Sequence, residues 1–253
     1  MWLNKLANLP GKLLAKFLTR PSGHYVTFAV HDLNTLKKYI QPCDVLLVEG
    51  DHRISGAIKY LTTSTWSHSA LYVGNIINPE EHPDDPKVLI EADIKLGVIG
   101  VPLSKYTKHN VRICRPVNLT PDDSAKVISY MMKNLGNGYD LKNVFDLARY
   151  LFPTPPVPAR FRRRMISLGS GDPTRAICSS LIAQAFQVIK YPILPQELPS
   201  DEDAAKTLLD IRHHSLFTPS DFDLSPYFKV VKPTIERGFD YRDFNWIEKE
   251  SSD

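Results

Sequence analysis

Five short apolar runs between residues 44 and 115 constrain this chain more than any other feature: Asp44 to Val48, Ser69 to Val73, Val88 to Ala92, Gly97 to Val101 and Val111 to Arg115. Each has the length of a strand rather than of a helix, and polar turn-forming residues separate them, so the spacing predicts a sheet. Helices are predicted around it. Asp32 to Ile40 and Ile54 to Leu61 read as short ones, and Thr120-Pro121-Asp122-Asp123 is a strong helix start, with a capping hydroxyl, proline in the first turn and acids at the positive end of the dipole. That helix should run to Leu135 and stop at Gly136. Strands crowded into the first half, with helices before and after, give an α+β domain with a mostly antiparallel sheet.

The second half is less regular. A helix is predicted from Asp140 to Leu151, ended by Phe152-Pro153, and the stretch from Pro153 to Pro173 reads as a long loop carrying Arg160, Arg162, Arg163 and Arg164. Ile177, Leu181, Ala185, Phe186 and Ile189 then repeat at helical spacing and stop before Pro192. Ser200 with Asp201, Glu202 and Asp203 predicts another helix start, Phe228 to Val231 a last strand, and the polar residues from Glu248 a frayed tail. The expected organisation is an N-terminal amphipathic helical segment at 1–40, a single domain at 41–247 and the tail at 248–253.

Composition excludes some classes of function. A net charge of +3 on 253 residues is too small to imply nucleic acid as a partner. Three cysteines at irregular spacing argue against a disulfide framework and against a paired-cysteine zinc site; no metal or other cofactor is expected, and a reducing, cytoplasmic setting is the economical reading. No run approaches the length of a transmembrane helix, and Lys5, Lys12 and Lys16 break the N-terminus where a signal peptide would be apolar. Trp2, Leu6, Leu9, Leu13 and Phe17 nevertheless form a stripe at helical spacing, flanked by cations, with no acid before Asp32. Two placements fit that stripe: peripheral attachment to an anionic membrane surface, or packing on the domain itself.

The chemistry concentrates on one thiol. Cys178 stands near the start of the helical run Ala176 to Phe186, where unpaired N–H groups and the helix dipole favour a thiolate. Cys43 and Cys114 lie in or beside strands and read as buried and inert. His68 sits at the mouth of a strand, with Ala70 and Tyr72 on its face, and Glu91 and Asp93 share one face of a later strand. A carboxylate on a strand needs a partner, and a neighbouring imidazole would serve. A thiol, a histidine and an acid make a nucleophile, base and orienter. The pair His213-His214 lacks further ligands at useful spacing and reads, like His82, as solvated.

Taken in order, Asp44-Val45-Leu46-Leu47, Trp66-Ser67-His68-Ser69-Ala70-Leu71-Tyr72-Val73-Gly74, Ile90-Glu91-Ala92 with Gly97-Val98, Gly138-Tyr139-Asp140 and Ile177-Cys178-Ser179-Ser180-Leu181 resemble the permuted papain-like cysteine hydrolases, the YiiX/YebB-like relatives of the NlpC amidases. The resemblance spans residues 43 to 231, including Thr218-Pro219-Ser220-Asp221, which looks like the family's final loop. It implies a circularly permuted papain-like fold, with the histidine strand first and the nucleophile-bearing helix last. Carried over residue by residue, it implies Cys178 as nucleophile, His68 as general base and acid, and Glu91 as orienter. Asp93 competes for the third role on strand parity, and Tyr139 matches a recurrent motif tyrosine. Asp172-Pro173 would cap a helix that puts Cys178 in its second turn, whereas the family pattern needs a start nearer Ile177.

The expected function is hydrolysis of an amide or ester bond in a small amide, peptide or acylated substrate, through an acyl-enzyme, with the Cys178 backbone N–H meeting the oxyanion. The alternatives are lipid acyl transfer or thioester hydrolysis at a membrane surface, and a non-catalytic membrane-associated binding module.

Overall fold

The computed structural model describes residues 25–78, 80–138, 177–198, 208–210 and 213–240, together with Arg242. The stripe at residues 2–20, the helix at 140–151, the arginine-bearing loop at 153–173, Tyr139, the Asp172-Pro173 cap, the helix from Ser200 and the tail from Glu248 lie outside them.

Every strand expected from the apolar runs is present. Strands β1 (Val45–Val48), β2 (His68–Ile77), β3 (Lys87–Asp93), β4 (Gly97–Pro102), β5 (Val111–Pro116) and, from the far end of the chain, Phe228–Val231 form one sheet. Its order is β4-β3-β2-β1-β5 and then Phe228–Val231, with every neighbouring pair antiparallel. The molecule is thus a mixed helix and antiparallel-sheet fold. Strand β2 runs further than the apolar pattern suggests, because Gly74 at φ +78° and a register irregularity between Tyr72 and Ile77 let pairing resume beyond Val73.

Helices cover both faces, which is why β1, at the sheet's centre, is a continuous apolar run rather than an alternating one. On one face, α1 (Leu33–Tyr39) packs Leu36 against Leu46, Val48, Ala70, Leu89 and Ile113. Asp32 caps it by accepting from the Thr35 backbone N–H at 3.0 Å. The short helix α2 (Arg53–Thr62) leads into β2. On the other face, α3 (Pro121–Lys133) and α4 (Ile177–Gln187) pack Val127, Met131, Leu181, Ile182 and Phe186 against Val45, Leu47, Leu71 and Ile90. Thr120 caps α3 as its sequence requires, accepting from the Asp123 backbone N–H. Helix α4 is buried at every described position from Cys178 to Ala183, and Tyr130 of α3 donates to its Gln184.

Two expectations change. Thr218-Pro219-Ser220-Asp221 is no loop but the start of a helix, α5 (Pro219–Leu224), because the Asp221 carboxylate accepts from both the backbone N–H and the hydroxyl of Thr218. Unforeseen strands Gln196–Leu198 and Leu208–Asp210 also pair as a separate two-stranded sheet. The loop to β1 is tied down by Asp44, whose buried carboxylate accepts from Arg115 Nε at 2.8 Å, Arg115 Nη2 at 2.7 Å and the Gln41 backbone N–H at 2.8 Å.

Candidate active site

His68 is the first residue of β2, so its ring stands at the end of the sheet, where side chains from both faces meet. Strand parity puts Glu91 of β3 on the face shared by Ala70 and Leu89, and the His68 Nε2 lies 3.2 Å from Glu91 Oε2. From the opposite face, α4 brings Cys178 to the same end, where the His68 imidazole and Ser69 lie close enough to act on its thiol. Cys178 is the second residue of the described helix, and it is buried. The three residues singled out from the sequence are therefore in one cluster.

Asp93, the competitor for the third position, has another task. Its Oδ1 accepts from the backbone N–H groups of Lys95 at 2.7 Å and Leu96 at 2.9 Å, closing the turn between β3 and β4. Sharing a face with Glu91 does not bring it to the imidazole, because the strand ends there and the turn's N–H groups are nearer.

Two residues not anticipated from the sequence complete the surroundings of Glu91. Both lie on the 3₁₀ turn Leu103–Tyr106 that follows β4: Lys105 Nζ donates to Glu91 Oε1, and the Tyr106 hydroxyl donates to Oε2. The buried carboxylate thus has a cation, a phenol and an imidazole around it.

The electrostatics follow from these contacts. Burial pulls the His68 imidazole down, but the Cys178 sulfur and the Glu91 carboxylate outweigh it and raise its pKa to about 10. Burial pushes Glu91 up, yet His68 and Lys105 bring it down to about 2. For Cys178 burial again opposes ionisation, and the neighbouring imidazolium, with Ser69, lowers the thiol below its ordinary value. Burial and the adjacent carboxylate hold Tyr106 well above the usual phenol range, so it remains a donor. All three shifts have the same sense: each neighbour favours the ionised form of the thiol, the imidazole and the carboxyl against the pull of burial. The other thiols differ: burial raises Cys43 to about 11, despite its contact with Ser124 Oγ at 3.0 Å, and raises Cys114 further.

The entry to β2 is rigidly held. Trp66 Nε1 donates to Asp223 of α5 at 3.0 Å, Arg112 Nη1 donates to both Asp223 oxygens at 2.6 Å, and the Arg112 guanidinium lies 5.0 Å from the Trp66 ring centroid. The Gly50 N–H donates to Ser67 Oγ at 2.9 Å, and a side chain at Gly50 would come within 2.2 Å of Ser55 Oγ and displace it. Ser179 Oγ donates to the Phe217 carbonyl at 2.7 Å and anchors the start of α4 from the other side. His213 and His214 stack with ring centroids 4.1 Å apart. No group of three metal-ligating side chains occurs among the described residues, nor any helix long and apolar enough to cross a membrane.

An antiparallel sheet between helices, with a thiol, an imidazole and a carboxylate joined at one end, is an arrangement that suits acyl-transfer chemistry. A family model described as permuted papain-like amidase enzyme, YaeF/YiiX, C92 family, matches residues 39–151. The chain resembles that group, as its motifs imply, and the matched span holds His68 and Glu91 and ends before Cys178. Among solved structures, the crystal structure of metalloprotein yiiX from Escherichia coli O157:H7, DUF1105, is similar over 76% of this chain and 96% of that one, at 17% identity and a TM-score of 0.45. No curated protein matches the chain.

Proposed function

We propose that the protein is a permuted papain-like cysteine hydrolase that cleaves an amide or ester bond through an acyl-enzyme, with Cys178 as nucleophile, His68 as general acid and base, and Glu91 as orienter. The observation that carries this reading is one buried thiol close enough to an imidazole to be shifted by it, with the Nε2 of that imidazole 3.2 Å from a carboxylate held ionised. The Cys178 thiolate attacks the substrate carbonyl carbon to form an S–C bond. As the C–N or C–O bond breaks, the His68 imidazolium gives its proton to the leaving amine or alkoxide. Water then adds to the thioester, His68 takes its proton, and the S–C bond breaks to release the acid and restore the ion pair. Glu91 holds the ring and stabilises its charge throughout. The substrate class is a small amide, peptide or acylated compound, consistent with a family described as amidases.

The electrostatics give this reading a direct test. Alkylation by iodoacetamide, followed by peptide mapping, should find Cys178 the fastest-reacting thiol, with its rate already high at pH values below the ordinary thiol range. The sign follows from the pair: a lowered thiol pKa moves the onset to lower pH, and the imidazolium persists until about pH 10. Cys43 and Cys114, raised by burial, should react slowly at neutral pH. Equal or faster modification of either would contradict the assignment.

A further inference from the structure

Glu91, His68 and Cys178 do not balance in charge on their own. In the reacting form of the proposed hydrolase, a carboxylate, an imidazolium and a thiolate leave one net negative charge in a largely buried cluster, and such a charge is costly unless it is paired. Lys105 is placed to pair it. Leu103 and Tyr106 are the buried anchors of the 3₁₀ turn, which puts Lys105 between them at the rim, with 38% of its side chain exposed. Its Nζ passes 5.2 Å from the Tyr106 ring centroid and turns inward to Glu91 Oε1, the oxygen that His68 does not use.

The other charged or titratable groups nearby are committed elsewhere. Asp93 closes the β3–β4 turn. His109, from the loop before β5, packs edge-on to Tyr106 with ring centroids 5.8 Å apart, and burial holds its imidazole low and neutral. Asp51 is 2.7 Å from His52 and 4.0 Å from His109. Tyr106 is uncharged. Among the described residues, Lys105 is the one cation besides His68 whose side chain contacts Glu91.

We infer that Lys105 is a positioning residue that acts by charge: its ammonium group on Glu91 lets the carboxylate and the Cys178 thiolate stay ionised together around one imidazolium. Tyr106 supplies direction rather than charge, fixing Oε2 toward the ring. This rests on the proposed hydrolase reading and adds to it a residue outside the three that carry the chemistry. The sequence context Leu103-Ser104-Lys105-Tyr106 contains no motif that points to it.

The test is the pH dependence of Cys178 alkylation by iodoacetamide in the full chain and its Lys105→Met, Lys105→Gln, Lys105→Arg and Tyr106→Phe variants. Circular dichroism reports folding, and the two neutral variants guard against one failing to fold. Lys105→Met and Lys105→Gln should move the midpoint alkaline by about one pH unit, the scale of a nearby charge. Lys105→Arg, which keeps the charge, should stay near the unsubstituted protein, and so should Tyr106→Phe. A midpoint unmoved by the neutral variants, or moved equally by Lys105→Arg, overturns the inference while leaving the hydrolase reading intact. A midpoint of about 8.5 in the unsubstituted protein, that of an ordinary thiol, overturns both.

Discussion

Replacing Cys178 with alanine, or His68 with alanine, is expected to lower hydrolysis of a p-nitrophenyl ester or p-nitroanilide by about 10³-fold or more. The effect is large because each side chain depends on the other. Without the imidazole, the largest influence opposing burial is lost and the thiol pKa rises. Without the thiol, the imidazole has nothing to activate. The double variant should therefore be no worse than either single one, as expected for residues acting as a unit. Activity within tenfold of the unsubstituted protein in Cys178→Ala would place the chemistry elsewhere. Stopped assays on purified protein, with circular dichroism to confirm folding, decide the matter.

The second large effect is on stability. Asp44→Ala is expected to cost about 3 kcal/mol, because removing one partner strands the other in a poorly solvated place. Asp44 is fully buried and accepts three hydrogen bonds, two from Arg115 and one from the Gln41 backbone. The value lies at the low end of the range because 25% of the Arg115 side chain remains exposed and water can partly replace the carboxylate. Burial pushes the Asp44 carboxyl up more than Arg115 pulls it down, so the pair spends much of its attraction on desolvation. Replacing both members with leucine should accordingly recover much of the loss. Urea denaturation measures each variant, and a loss under about 1 kcal/mol for Asp44→Ala would show that the pair is not a tie in this sense.

Residues whose environment is set by local rules were legible in the sequence. The strand runs, the Thr120 cap and the buried Leu181, Ala185 and Phe186 of α4 each follow from periodicity or capping within a few neighbours, whereas the burial of Ser179, Ser180, Ile182 and Ala183 follows from packing on both sides of the helix. So did the candidate trio, since a thiol on a helix, a histidine at a strand mouth and an acid inside a strand are visible as residue types. Parity alone left Glu91 and Asp93 equivalent. The distinguishing signal was in the turn: Asp93 begins Asp93-Ile94-Lys95-Leu96-Gly97, a stretch whose N–H groups need a side-chain acceptor. Thr218-Pro219-Ser220-Asp221 carried the same capping logic as Thr120-Pro121-Asp122-Asp123, and only the brevity of α5 hid it. Lys105 and Tyr106 were not legible. Their approach to Glu91 is fixed by the β3–β4 register and by how the 3₁₀ turn seats Leu103, and no local period encodes either.

Covalent catalysis by Cys178 is tested by intact-mass spectrometry of protein quenched during turnover of a p-nitrophenyl ester. The expected result is a single added acyl mass that maps to the Cys178 peptide, disappears in Cys178→Ala and decays as the ester is consumed. Continued turnover with no adduct, or with the adduct on another residue, would contradict it.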